Sequence, residues 1–339
     1  MSKKQGWKKL LFWVRIIVLI LSLALLLRMV NFALVLKHVG DIPWYIFALL
    51  LVIAIIRTWL NGLRWQLVNP DATEQLSQWQ YFRFLMIAHA FNLIMPGALG
   101  GDFVKTAMTM KTVKSNRVSN LIAIVVDRYI GLFSIIMLGS LALIFATKIP
   151  DRMVFYRYFG VLLGGFATAT FISTQPRLLA LLEKIFRRLG RPGVALNSLL
   201  DTWRGALAYF RTYYFRVFFA LLLCVPIHGV VFVTKYTVAR YLGIEISFFD
   251  ICAIQALVWI ITAVPITISG AGVRELTLIY FLGFYGVEAE PAAALSVYSY
   301  ILSVILGFVG FMFLFDPHGT IKKISQEESP VSAEHSDKK

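Results

Sequence analysis

Three short stretches place charge where an apolar chain should carry none. The first runs from Asn92 to Lys105 (NLIMPGALGGDFVK): Pro96 breaks the helix, Gly97, Gly100 and Gly101 follow, and then come Asp102 and Lys105. The second, Pro265 to Glu275 (PITISGAGVRE), sets Pro265, Gly270 and Gly272 ahead of Arg274 and Glu275. The third, IVVDRYIGL, puts Asp127 and Arg128 inside an apolar run. Ionisable groups within a membrane segment cost about 2.5–3.5 kcal/mol each on insertion scales, so they pair or serve a pathway. Irregular backbone at that depth survives only where protein or a watery cavity satisfies its polar groups. Glycine allows the turn and a close approach. Helices resuming after Gly100-Gly101 and after Gly270 and Gly272 would aim N–H groups and positive dipole ends inward, which suits an anion such as phosphate. The expected chemistry is therefore anion binding. In that reading Arg128 and Arg274 hold a phosphate, with Lys105, Asn92 and the glycines as further contacts. Asp102, Asp127 and Glu275 position the cations, and Asp102, Glu275 and His89 are the proton-coupling candidates. Neighbouring helix positions diverge by about 100°, so Asp127 and Arg128 should reach different partners. The plainer reading is a buried ion-pair cluster that fixes helix register.

The elements that position these groups follow from composition. Of 339 residues, 59% are hydrophobic and only 15% charged, against roughly a quarter charged in soluble domains. Apolar runs long enough to cross a bilayer recur along the chain, which identifies an all-α polytopic membrane protein. Full spans are expected at about 10–36, 43–60, 118–146, 154–173, 217–239 and 290–315. The first follows Lys3, Lys4, Lys8 and Lys9, but it is too long for a signal-peptide core and lacks a small-x-small site, so it reads as a retained span. Segments 80–111 and 250–285 are each interrupted by glycines. From Tyr81 to Met95 a helix reaches only about 22 Å, short of a core of roughly 30 Å. Each interrupted segment is therefore expected to be a re-entrant hairpin of two short helices.

Basic residues test this threading. With a cytoplasmic N-terminus, 24 of the 33 Lys and Arg fall in inside segments, and the outside loops hold Lys37, Lys148, Arg152 and Arg240. That asymmetry follows the positive-inside rule. The two hairpins then open from opposite sides. Asn92 to Asp102 aligns without gaps on Pro265 to Glu275, sharing a Gly-Ala pair and a terminal carboxylate. The expected architecture is an inverted-topology repeat, a plan common among transporters. Residues 1–146 form the first repeat and 147–316 the second. The second includes a basic cytoplasmic connector, 174–216, and a disordered cytoplasmic tail follows at 317–339. In the connector, Leu178, Leu182, Ile185 and Leu189 recur at helical spacing, as in a helix lying on anionic lipid. Arg28 and Lys235 read as snorkelling side chains, and Arg64-Trp65 as an interfacial anchor.

The net charge of +15 is spread over loops, which points to topology and lipid headgroups rather than nucleic acid. Cys224 and Cys252 lie in apolar runs and read as core packers, so no metal site is expected. No phosphate-binding Gly-rich loop ending in Lys-Ser/Thr is present, and no cofactor is expected. No oligomeric state is implied.

Taken in order and spacing, NLIMPGALGGDFVKTAMTMK, VVDRYIGL and PITISGAGVREL resemble the transmembrane, flippase-like region of the lysylphosphatidylglycerol synthase family. The likeness extends over about residues 8–318. Two departures are mild: Asp127 stands where Glu is common, and SGAGVRE replaces a double-glycine form. The resemblance implies movement of a lipid between leaflets of a bacterial cytoplasmic membrane, and a stand-alone member without the soluble synthase domain. It does not imply lysyl-lipid as substrate. The expected function is a non-enzymatic flippase for a phospholipid or polyprenyl-phosphate-linked lipid with an anionic headgroup. The alternatives are an accessory subunit of envelope-lipid synthesis or, with less support from such short outside loops, a membrane-embedded transferase.

Overall fold

The computed structural model describes residues 20–22, 24–69, 75–94, 100–112, 117–146, 149, 152–188, 190–263 and 270–315. Pro96, Gly97 and Pro265, both turns of the interrupted segments, the start of the first span and the tail at 317–339 lie outside them. Among the described residues the chain is helical, with no strand.

The first apolar run is not one straight span. Helix α1 (Ile20–Met29) meets α2 (Phe32–Gly40) at a 78° bend. The physical reason is Asn31: its side-chain oxygen accepts from the N–H groups of Ala33 and Leu34 and starts a new helix there, a standard N-cap. The Asn31 N–H in turn donates to Glu290, fastening the bend to a helix near the other end of the chain. Helix α3 (Trp44–Val68) runs eight residues beyond its expected end. Helices α4 (Gln78–Ile94) and α5 (Gly100–Thr112) form the first interrupted segment, and α6 (Arg117–Phe145) follows. Next come α7 (Arg152–Thr174), the connector helices α8 (Pro176–Arg187) and α9 (Arg191–Thr212), and α10 (Tyr214–Tyr241). The second interrupted segment is α11 (Phe248–Ala263) and α12 (Val273–Gly283), closed by α13 (Ala289–Met312). Among the described residues four helices, α3, α6 (from Val118), α10 and α13, are long and apolar enough to cross a membrane, and α1–α2 would make a fifth if the bent pair is one span. The chain is a multi-pass membrane protein. At 1.5 Å per residue, α11 reaches about 24 Å and α12 about 17 Å, neither enough for a core of about 30 Å.

The packing pairs up under exchange of the two halves. Helix α4 packs chiefly on α13, and its counterpart α11 packs chiefly on α6. Helices α3 and α10, each preceding an interrupted segment, pack on one another. Lipid is as apolar as leucine, so such contacts depend on small residues and polar bonds rather than on hydrophobic drive. Glycine supplies the close approach at both crossings. A Cβ on Gly310 of α13 would fall 1.8 Å from the Met86 carbonyl oxygen of α4. A Cβ on Gly139 of α6 would fall 2.6 Å from that of Ala256 on α11.

In the connector, Leu179 is the buried leucine of α8, while Ile185 is exposed and Leu189 lies outside the described residues. Glu183 of α8 reaches Arg204 of α9, 2.8 Å away, and ties the two connector helices together.

Candidate functional site

The first charged cluster assembles around Asp127 of α6. Arg64 of α3 approaches one carboxylate oxygen at 3.1 Å, and Lys105 of α5 approaches the other at 3.2 Å. Lys105 also pairs with Asp102 at 3.0 Å, and the Arg128 Nε donates to Asp102 at 2.6 Å. Each carboxylate therefore sits between two cations, and Asp127 and Arg128 reach different partners. The Lys105 ammonium stands 4.1 Å over the Trp65 ring, a cation–π contact that strengthens when desolvated. Trp65 is buried. Arg64 and Trp65 are therefore core members of the cluster, not an interfacial anchor. Two more polar contacts adjoin. His89 Nε2 lies 3.3 Å from Thr58 Oγ1, and His228 Nε2 lies 3.0 Å from Ser134 Oγ. Together these groups line a cavity of about 400 Å³ bounded by Arg57, Arg64, His89, Asp102, Lys105, Asp127, Arg128 and His228.

The second cluster is built on the first turn of α12. Glu275 accepts from the Gly272 N–H at 2.7 Å, from the Ser296 hydroxyl at 2.6 Å, and from two N–H groups of Arg274. A carboxylate is favoured there by the helix dipole. Gly272 holds φ at +79°, open to glycine at no steric cost. Arg274 also donates to Ser296 Oγ at 2.8 Å and lies 5.6 Å from the Tyr300 ring centre. It lines a second cavity, of about 160 Å³, with Arg57, Thr234, Lys235, Gln255, Trp259, Ser299 and Ser303. Lys235 does not snorkel. It is 4% exposed and donates to the Leu295 carbonyl at 3.2 Å.

Two expectations change. Arg128 and Arg274 do not share one network: they line separate cavities, and Arg57 lines both. Two backbone donors near the breaks are also engaged within the protein. The Gly101 N–H donates to the Asn92 side-chain oxygen at 2.7 Å, and the Gly272 N–H goes to Glu275. A Cβ at Gly101 would overlap the Asn92 amide, so Gly101 and Asn92 form a matched pair that closes the helix start. Gly100 is buried beside it, and Gly270 packs near Thr262. The Gly101 and Gly272 N–H groups are thus already taken within the protein, while the side-chain cations face the two cavities. Among the described residues no group of His, Cys, Asp and Glu could hold a metal ion.

The residues that spacing alone overlooked are Arg57, Arg64, Lys235 and Ser296. Arg57, Asn61 and Arg64 recur at i, i+4 and i+7, a polar stripe on one helix face, and this pattern was the available signal.

A family model described as lysylphosphatidylglycerol synthase TM region matches residues 12–310. The chain belongs to that family. The match includes both interrupted helix pairs and every charged group of the two cavities. Neither a curated protein nor a solved structure matches the chain. The lysylphosphatidylglycerol synthase TM region is thus the frame for this membrane domain, and its charged cavities are the place to look for what it handles.

Proposed function

We propose that this chain is a lipid translocator that moves a phospholipid or a polyprenyl-phosphate-linked lipid between leaflets of a bacterial cytoplasmic membrane. The observation that carries the reading is the pairing of the two cavities. Each lies at the start of the second helix of an interrupted pair, one with Asp102 and Lys105, the other with Arg274, and the two adjoin at Arg57. Buried charge on this scale is retained in membranes where a polar substrate must pass. The helix pairs α4/α5 and α11/α12 act as re-entrant hairpins of an inverted repeat opening from opposite faces, with both termini cytoplasmic. Alternate opening around the cationic groups gives the headgroup access to one leaflet and then the other. The chain acts without catalysing a covalent step. The exchanged packing of α4 on α13 and α11 on α6 supports the repeat.

The test is transbilayer movement of fluorescent lipids in vesicles holding the purified protein, read by chemical quenching of the outer leaflet. Faster exchange than in empty vesicles is expected, with loss in Arg128→Gln and Arg274→Gln proteins that still elute as folded species. No acceleration for any phospholipid or polyprenyl phosphate would overturn the reading.

A further inference from the structure

The smaller cavity holds positive charge that the protein does not balance. Arg57 from α3, Lys235 from α10 and Arg274 from α12 all line it, no carboxylate is among its described lining residues, and Glu275 pairs with Arg274 from behind at 3.0 Å. Glu275 is already occupied by Gly272, Ser296 and Arg274. Arg57 makes no ion pair among the described residues, and its Nε is buried without a hydrogen-bond partner. Lys235 uses one donor on the Leu295 carbonyl, and an ammonium has three. Gln255 is 3% exposed, and its side-chain oxygen is likewise without a partner. Thr234, Ser299 and Ser303 add hydroxyls to the wall. Formally, three cations are set against one carboxylate, a surplus of two. Burying unpaired charge is strongly unfavourable, so the cavity is built for an anion brought from outside.

We propose that this cavity is a receptor for a phosphate group carrying two negative charges, a phosphomonoester or a diphosphate. The inference rests on the translocation reading and names the headgroup class that the reading leaves open. Charge and size both support it. Two negative charges cancel the surplus, and arginine's planar fork suits phosphate oxygens. The cavity, of about 160 Å³, has room for a phosphate group, since one water needs only about 10–15 Å³ of such space. An aminoacyl headgroup would bring its own ammonium into a cavity already rich in cations. The substrate is therefore the phosphate end of a lipid such as a polyprenyl phosphate or phosphatidic acid, or the same group free in solution.

The experiment uses the full chain in nanodiscs of neutral phosphatidylcholine. Inorganic phosphate and pyrophosphate are titrated while thermal unfolding is followed, and parallel nanodiscs contain phosphatidic acid or lysylphosphatidylglycerol. Saturable stabilisation by the doubly charged probes is expected, with none from the lysyl lipid. A response to free pyrophosphate identifies a soluble anion as sufficient. A response to phosphatidic acid alone identifies the lipid-borne group. Lys235→Met and Arg57→Gln should each weaken binding at least tenfold. Gln255→Glu supplies an internal counter-charge and should weaken binding similarly while raising the melting temperature without ligand. This outcome is one that a purely structural cavity does not produce. Absence of stabilisation by every phosphate probe, or binding unchanged in all three variants, overturns the proposal. The two readings fail separately. Translocation that ignores headgroup charge and survives Lys235→Met overturns the receptor while sparing the translocator. Phosphate binding without any lipid movement does the reverse.

Discussion

The two cavities use similar residues in opposite ways. In the larger one, Arg64, Lys105 and Arg128 are all ion-paired to Asp102 or Asp127, although with Arg57 the cations there outnumber the carboxylates four to two. In the smaller one Arg274 pairs with Glu275, while Arg57 and Lys235 make no ion pair among the described residues. Ion-paired cations hold helices in register, whereas unpaired ones are open to a ligand. The first set joins α3, α5 and α6, and the second is where we propose that a ligand binds.

That contrast can be broken most severely at Asp127. Asp127→Asn strands Arg64 in the interior and leaves Lys105 with Asp102 alone, and removing one partner of a buried pair costs about 3–5 kcal/mol. Calorimetry of the purified protein should record the largest fall in melting temperature of these substitutions. Ser296→Ala should come next, because Ser296 is fully buried and bonds both Glu275 and Arg274. Hydrogen bonds to charged groups contribute about 1.5–3 kcal/mol, and chemical unfolding in mild detergent would measure the loss. Asp102→Asn should be gentler than Asp127→Asn in the same assay. Lys105 keeps Asp127, and Arg128, whose side chain is 42% exposed, can hydrate. Lys235→Met sharpens the comparison from the other side. Removing an uncompensated amine should leave ligand-free stability unchanged or higher, whereas a fall as large as that of Asp127→Asn would erase the distinction between the cavities.

The smallest expected effect lies outside the membrane spans, at Glu183 in the connector. Hydrogen bonds from Arg204 and then Arg187 hold its carboxyl below the usual range. A carboxylate with a lowered folded value contributes above its unfolded pKa of about 4.3 and loses that contribution as pH falls through the folded value. Protection factors on α8 and α9, corrected for the intrinsic pH dependence of amide exchange, should therefore be steady from neutral to mildly acidic pH and fall in stronger acid, and Glu183→Gln should remove the change.

Much of this was legible in the sequence, for identifiable reasons. Hydropathy marks α3, α6, α10 and α13 because a bilayer demands long apolar helices, and glycine marks the breaks in both helix pairs. The bend at Asn31 was readable in principle from a capping residue inside an apolar run, yet hydropathy is blind to it. Asp102, Lys105, Asp127, Arg274 and Glu275 stood out because charge is rare at depth. Arg57 and Arg64 were hidden among the positive residues that set topology, since a charge near a span end looks the same whether it faces water or a neighbour. Which cation meets which carboxylate is decided by how the halves dock. No local pattern encodes that, so Arg128 and Arg274 seemed to share a ligand when they line different cavities.

The close crossings at Gly310 and Gly139 bear on how the protein is made. A ribosome delivers α4 early, but the surface that covers it belongs to α13, the last of the described helices to emerge. Through most of synthesis the first half waits in the bilayer with one flank open. A chain cut short before Ala289 would thus harm the half already made as much as the one left unfinished.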